Sequence, residues 1–176
     1  TQLPSNLIFF PADKLRNVLL KECPRVKDAQ FTKDFPHTLN IILTLREPVA
    51  FVSEGDTILA IDSEGILFSA KEASVLPKLE LPIDAMTPGK KAEGRGVKTS
   101  LAFLKKLSHD EQVEHITLSN DSTLEVMGKD LHVLLLAEAD GTEQADTLQA
   151  LLKGFRMKGS VPHTIDLRFS KPIITP

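Results

Sequence analysis

The segment Gly89-Lys90-Lys91-Ala92-Glu93-Gly94-Arg95-Gly96 is the first place to look for chemistry, because two of its glycines stand at the separation of a phosphate-cradling loop. Such a loop also needs Lys and then Ser or Thr directly after the second glycine, to reach phosphate oxygens and magnesium. Arg95 and Gly96 stand there instead, so the segment reads as a flexible basic loop. Asp62-Ser63-Glu64-Gly65 resembles the start of a calcium loop, but Ile66 occupies the next ligand position. A strand-connecting turn explains it better. The histidines His37, His109, His115, His132 and His163 are scattered singly, with none at a metal-ligand spacing. Cys23 has no cysteine to pair with and no signature that supplies a base, so a buried apolar thiol is the expected role. Gly-x-Ser-x-Gly is missing as well. These patterns nominate no catalytic residue, no cofactor and no metal site.

Composition narrows the partners. The net charge of −3 gives no global attraction to phosphate backbones or anionic membrane surfaces. Tyr and Trp are absent, which removes the usual stacking platforms for bases and sugar rings. The apolar fraction of 41% over 176 residues is enough for a real core in one domain or two small ones. The longest apolar runs, such as Leu131 to Ala137, are too short to span a bilayer. No signal peptide is visible, so any targeting segment of the natural protein is expected upstream of Thr1.

The elements that would position a site alternate between helical and strand periods. Asn6 to Phe10 is a short apolar run, and Pro11 suits the first turn of a helix over Ala12 to Lys21, with Leu15, Val18 and Leu19 at helical spacing. Ala29 and Phe31 alternate with Gln30 and Thr32 as a strand. The turn Asp34 to His37 leads into a second strand, in which Leu39, Ile41, Leu43 and Leu45 point one way and Thr38, Asn40, Thr44 and Arg46 the other. That alternation predicts one buried and one wet face. A meander follows, with strands near Thr57 to Ile61 and Ile66 to Ser69. Ala70 to Gly96 shows no sustained period and reads as a long surface excursion. Val97 to Leu107 is predicted helical. Val113 to Ser119, Thr123 to Met127 and Leu131 to Ala137 read as antiparallel strands, and Thr142 to Phe155 as a last helix.

The chain closes with a strand over Thr164 to Ser170 and a further extension through Ile173 and Ile174. Ile165, Leu167 and Phe169 alternate with Asp166, Arg168 and Ser170, and Pro172 follows. Proline in sheets is confined largely to edges, strand ends and bulges. This strand therefore belongs at or near an edge, where unpaired backbone groups are either blunted or used to bind an incoming strand.

Several segments read together resemble a family. Pro24-x-Val26-x-x-Ala29, Phe35-Pro36-x-Thr38-Leu39-x-Ile41 and Arg46-Glu47-Pro48-Val49-Ala50 are similar to the end of the POTRA domain in the FtsQ/DivIB bacterial cell-division proteins. Ile61-Asp62-x-x-Gly65-x-x-Phe68, Leu76-Pro77-x-Leu79, the helix from Val97 and the closing Ile165-Asp166-Leu167-Arg168-Phe169 follow in the family's order. The resemblance implies an α+β fold: an incomplete POTRA domain of a helix and a β-hairpin over residues 1–52, then a mostly antiparallel β domain with two or more helices over 53–176. Because the chain starts only about ten residues ahead of the matching helix, the earlier strand and helix of a POTRA domain are expected to be missing.

The resemblance further implies a non-catalytic scaffold, anchored in the inner membrane by an upstream segment with this portion on the periplasmic side. Its partners would be FtsB and FtsL, and its role the regulation of septal peptidoglycan synthesis. In the family the face around the closing strand is the partner site. That nominates Arg168, Phe169 and Ser170, with Asp166 and Lys171 as charged neighbours, and strand addition as the binding mode. The alternative is a POTRA-type client-binding module of an outer-membrane assembly or secretion system. The β-rich portion after Ala50 argues against it, since POTRA arrays would repeat the helix and hairpin.

Overall fold

The structure, a computed structural model, describes residues 10–71, 75–107, 112–129, 131–160 and 162–175. The chain divides into two compact units, Thr1–Glu47 and Pro48–Pro176. Of the apolar run Asn6 to Phe10, only Phe10 falls among the described residues.

In the first unit, α1 (Ala12–Glu22) packs on the hairpin of β1 (Val26–Asp34) and β2 (Thr38–Leu45), antiparallel from Asp34↔Thr38 to Val26↔Leu45. Phe10, Val26 and Ala29 are buried, and the Phe10 and Phe31 rings sit 6.1 Å apart. Arg16 reaches from α1 to Asp28 on β1, its Nε and Nη2 donating to Oδ1 at 3.0 and 2.6 Å. That pairing, opposed by burial, holds the Asp28 carboxyl below the usual aspartate range. The alternating strand does not behave as its pattern predicts. Ile41, Leu43 and Leu45 are 46–50% exposed and Leu39 is only half-buried. A period of two says which residues share a face, and it does not say how far that face is covered: Ala29, opposite Leu43, is buried while Leu43 itself stays about half exposed. Cys23, expected in the core, is exposed at the C-terminal end of α1.

The second unit is a nine-stranded sheet in the order β11-β10-β9-β8-β7-β6-β3-β4-β5. Its strands are β3 (Pro48–Glu54), β4 (Thr57–Asp62), β5 (Leu67–Phe68), β6 (Lys78–Glu80), β7 (Val113–Asn120), β8 (Thr123–Gly128), β9 (His132–Leu136), β10 (Thr164–Asp166) and β11 (Ile173–Thr175). β3, β4 and β5 pair antiparallel, as do β7, β8 and β9. β6 lies parallel to both β3 and β7 and joins the two groups. The periodic reading of Ala70 to Gly96 misses β6, because a strand of three residues has one inward side chain, Leu79, and so no period to detect.

Parallel neighbours need a crossover. α2 (Val97–Lys106) connects β6 to β7, and α3 (Gly141–Met157) connects β9 to β10. Both present helical-period apolar faces. Val97, Leu101, Phe103, Ala145, Leu148 and Leu152 join Val52, Ile61, Ile116, Leu124, Val133 and Ile165 of the sheet in one core. Thr99 on α2 donates its hydroxyl to the carbonyls of Ala137 and Ala139, at 2.7 and 3.0 Å, tying the helix to the chain that leaves β9. Asp140 caps α3 by accepting the N–H of Thr142 at 2.8 Å.

The two helices touch where Gly141 opens α3. A Cβ there would stand 2.1 Å from the carbonyl oxygen of Thr99 and 2.9 Å from the amide nitrogen of Phe103. Both obstacles are backbone, so neither can yield. At Gly154, further along α3, an added Cβ meets nothing within 4 Å. Gly141→Ala is therefore expected to lower the stability of this unit by about 1–3 kcal/mol. Gly154→Ala should raise it by about 0.5–1 kcal/mol by reducing unfolded-chain freedom. Urea unfolding followed by circular dichroism gives both signs.

Candidate functional site

An open sheet ends in two rows of unpaired backbone groups, and the two ends of this one are treated differently. Beside β5 runs the glycine-rich basic segment. Leu67 N–H donates to the Lys90 carbonyl at 3.0 Å, Gly89 N–H to the Leu67 carbonyl at 2.7 Å, and Ala92 N–H to the Gly65 carbonyl at 2.7 Å. Ile66 and Lys91 complete an antiparallel bridge. What reads in sequence as a flexible loop covers a sheet edge. Gly96, with φ of 78°, then begins α2 against Leu124, whose Cδ2 would lie 2.6 Å from a Cβ at that position. These glycines serve turning and close approach. Asp62 likewise turns its Oδ1 to the N–H groups of Glu64 and Ile66, at 2.9 and 2.8 Å, as the strand-connecting turn requires.

The other end is β11, and it is open. His132 N–H donates to the His163 carbonyl at 2.9 Å and Leu167 N–H to the Leu134 carbonyl at 2.8 Å, at the two ends of the β9–β10 ladder. The peptide groups of the odd-numbered residues thus face β9, and alternation leaves Thr164 and Asp166 to face β11. Their register partners are Thr175 and Ile173. Ile174, opposite Ile165, must turn its N–H and C=O outward, away from β10.

The strand predicted over Thr164 to Ser170 ends at Asp166. The side chain of Asp166 bends the chain there, its Oδ1 accepting the N–H of Arg168 at 3.0 Å. The same carboxylate receives Arg168 Nε at 2.9 Å and Nη2 at 2.6 Å, a bidentate pair, while Nη1 reaches Thr123 Oγ1 on β8 at 3.3 Å. Hydrogen bonding from Arg168, opposed by burial, holds the Asp166 carboxyl below the usual aspartate range, and the carboxylate raises the Arg168 pKa in turn. Arg168 also lies over the Phe169 ring, its Cζ 5.5 Å from the centroid.

As β10 ends, α3 takes over from it. Gln144 accepts the N–H of Leu136 at 2.9 Å and donates to its carbonyl at 3.2 Å, in place of the next rung. Between α3 and the closing segment lies a groove of about 230 Å3, lined by Leu136, Gln144, Leu167, Arg168, Phe169 and Pro172 among others. Ser170 also lines it, while Lys171 is exposed beside it and Asp166 is buried behind. Arg168, Phe169 and Ser170 are thus together. Leu136 and Pro172, the second of them noted in sequence only as a strand stop, join them through the fold. Around the groove, Phe169 is 54% exposed, Ile173 53%, Leu136 38% and Ile174 37%. This is an apolar patch beside a free strand edge. Among the described residues no three His, Cys, Asp or Glu side chains gather as a metal site.

Because its folded-state pKa is depressed, Asp166 contributes stability that is present above about pH 4 and is lost as pH falls through the folded value. Asp166→Asn is expected to cost about 1–3 kcal/mol at neutral pH, since it strips a buried charged acceptor from Arg168. The gap between variant and parent should narrow steadily below about pH 4. Urea unfolding at pH 7 and at pH 3 measures it.

Known proteins resemble this chain along much of its length. Residues 1–46 match the family described as POTRA domain, FtsQ-type. The chain is similar to the cell division protein FtsQ of Streptomyces venezuelae, 26% identical over 161 residues, covering 86% of this chain and 58% of that protein. It is 24% identical over 154 residues to the protein of that name from Streptomyces griseus, covering 84% and 74%. The Streptomyces coelicolor protein is 25% identical over 148 residues, covering 77% and 55%. The chain thus spans little more than half of two of these relatives and about three quarters of the third. No helix among the described residues is long and apolar enough to cross a membrane. The N-terminal match, together with likeness along most of the chain to three proteins of one name, makes this chain similar to the FtsQ/DivIB family of bacterial cell-division proteins.

Proposed function

We propose that this chain is the extracytoplasmic scaffold portion of a divisome protein, held at the membrane by a segment upstream of it. It binds a segment of FtsB, with FtsL, by strand addition, and through that contact regulates septal peptidoglycan synthesis without catalysing a reaction. The observation that carries the reading is the difference between the two sheet edges. The β5 edge is covered by the chain's own backbone, while β11 leaves the Ile174 peptide groups outward beside exposed Phe169 and Ile173. An incoming strand would draw affinity from main-chain bonds and specificity from side chains seated in the adjoining groove.

Arg168 has a positioning role in this reading. Its guanidinium is occupied by Asp166 and shapes the turn that presents Phe169. Replacing it disturbs the chain's own pairing as well as any partner contact, so the edge itself makes the cleaner test. Ile174→Pro removes the outward N–H and leaves the bonds to β10 in place, since proline is tolerated on an edge. Titration calorimetry with an FtsB segment should give a Kd roughly tenfold or more weaker for Ile174→Pro, for the loss of one or two backbone bonds. Phe169→Ala should weaken it as well, with thermal unfolding close to the parent in both variants. Parent-like affinity in Ile174→Pro would remove strand addition at β11, and no binding by the parent would remove FtsB.

A further inference from the structure

Val133 and Leu135 of β9 lie in the core shared with α2 and α3, so alternation turns His132 and Leu134 to the opposite face of the sheet. Leu124 and Val126 of β8 face the core in the same way, which puts Thr123, Glu125 and Met127 on the face of His132. Met127 is the register partner of His132. Glu125 stands one place along that face, its Oε2 3.7 Å from His132 Nε2, a separation beyond hydrogen-bond reach. Nε2 is nonetheless buried and has no hydrogen-bond partner among the described residues. The two side chains as wholes are 26% and 34% exposed. On the other side of β9, Thr164 faces His132, and Asp166 follows two residues on with its carboxylate already held by Arg168. His115 of β7 lies beyond Met127, while Lys129 and His163, in the chain flanking β8 and β10, are exposed. Glu125 also adds, after Asp166, to the attraction that raises the Arg168 pKa. It thus stands between a permanent cation and a conditional one.

We propose that His132 is a proton-responsive latch, which on protonation closes an ion pair with Glu125 and fastens β9 to β8 near the open end of the sheet. In the neutral ring, Nε2 faces the carboxylate with either a lone pair or an N–H that stops short of it. Protonation gives that nitrogen both an N–H and a share of positive charge, and each favours closing the gap. Histidine changes charge between about pH 5 and 8, so the latch is closed on the acidic side of that range and released on the alkaline side. Because β9 carries β10 and β10 carries β11, mild acid holds the open edge more firmly. The latch involves His132 and Glu125 alone, so the proposal does not rest on what β11 binds.

A double-variant cycle on the full chain tests it, with His132→Gln, Glu125→Gln and both together, read by urea unfolding at about pH 5.5 and about pH 8. The other histidines titrate over the same range, and the cycle subtracts them. At the acidic pH the two substitutions should be coupled by about two- to fivefold in the unfolding equilibrium constant, the range of a partly exposed ion pair. At the alkaline pH the coupling should vanish. Should His132→Gln not fold, Glu125→Gln alone carries the test. Its cost against the parent should be larger in acid than in alkali, because the attraction it loses to Arg168 is the same in both. Coupling absent at both pH values, coupling equal at both, or a cost of Glu125→Gln that does not change with pH would each overturn the proposal.

Discussion

Backbone N–H and C=O groups at a sheet edge must bond to something, to water or to chain, and how each edge of the second unit meets that demand shapes the rest. At β5 the chain returns upon itself. The glycines at 89, 94 and 96 let the segment run close enough for Lys90 and Ala92 to complete the ladder and then enter α2. At β11 no described segment returns, and the peptide of Ile174 faces outward. A sheet closed at one end and open at the other is directional: only one of its edges is left to pair with another chain.

The same demand explains β6. The antiparallel group β3 to β5 and the group β7 to β9 would each have two edges if they stood apart. Three residues, Lys78 to Glu80, pair on both sides and turn them into one sheet. Because those pairings are parallel, the chain must cross a face of the sheet between β6 and β7, and again between β9 and β10, which is why α2 and α3 exist where they do. The crossovers bring the helices together so closely that Gly141 meets the backbone of α2. Local glycine usage is thus a consequence of sheet connectivity.

At the open end, side chains replace backbone wherever the ladder runs out. Gln144 answers the N–H and C=O of Leu136, and Asp166 answers the N–H of Arg168 while holding its guanidinium. The strand is cut short and the following residues swing outward. Phe169 is exposed because Asp166 and Arg168 satisfy one another instead of meeting solvent as a charged face. Electrostatics here sets the shape of a surface more than its charge.

Read as a string, the chain declares its helices and longer strands, because periods of 3.6 and 2 depend only on neighbours along the sequence. α1, α2, α3, β2, β7 and β8 were legible on that ground, and the closing residues Arg168 to Ser170 were marked by their alternation and by Pro172. The family resemblance lay in motif order and needed no coordinates. What the sequence could not decide was which neighbour each element would find. The alternation of β2 named a face without saying that Ile41 and Leu43 would stay exposed, β6 was too short to show a period, and the alternation around Asp166 and Arg168 did not record that they bind each other. Which edge would remain open was settled only in the tertiary structure. The partner of a backbone hydrogen bond in a sheet comes from a distant part of the chain, and no local pattern records whether that part arrives.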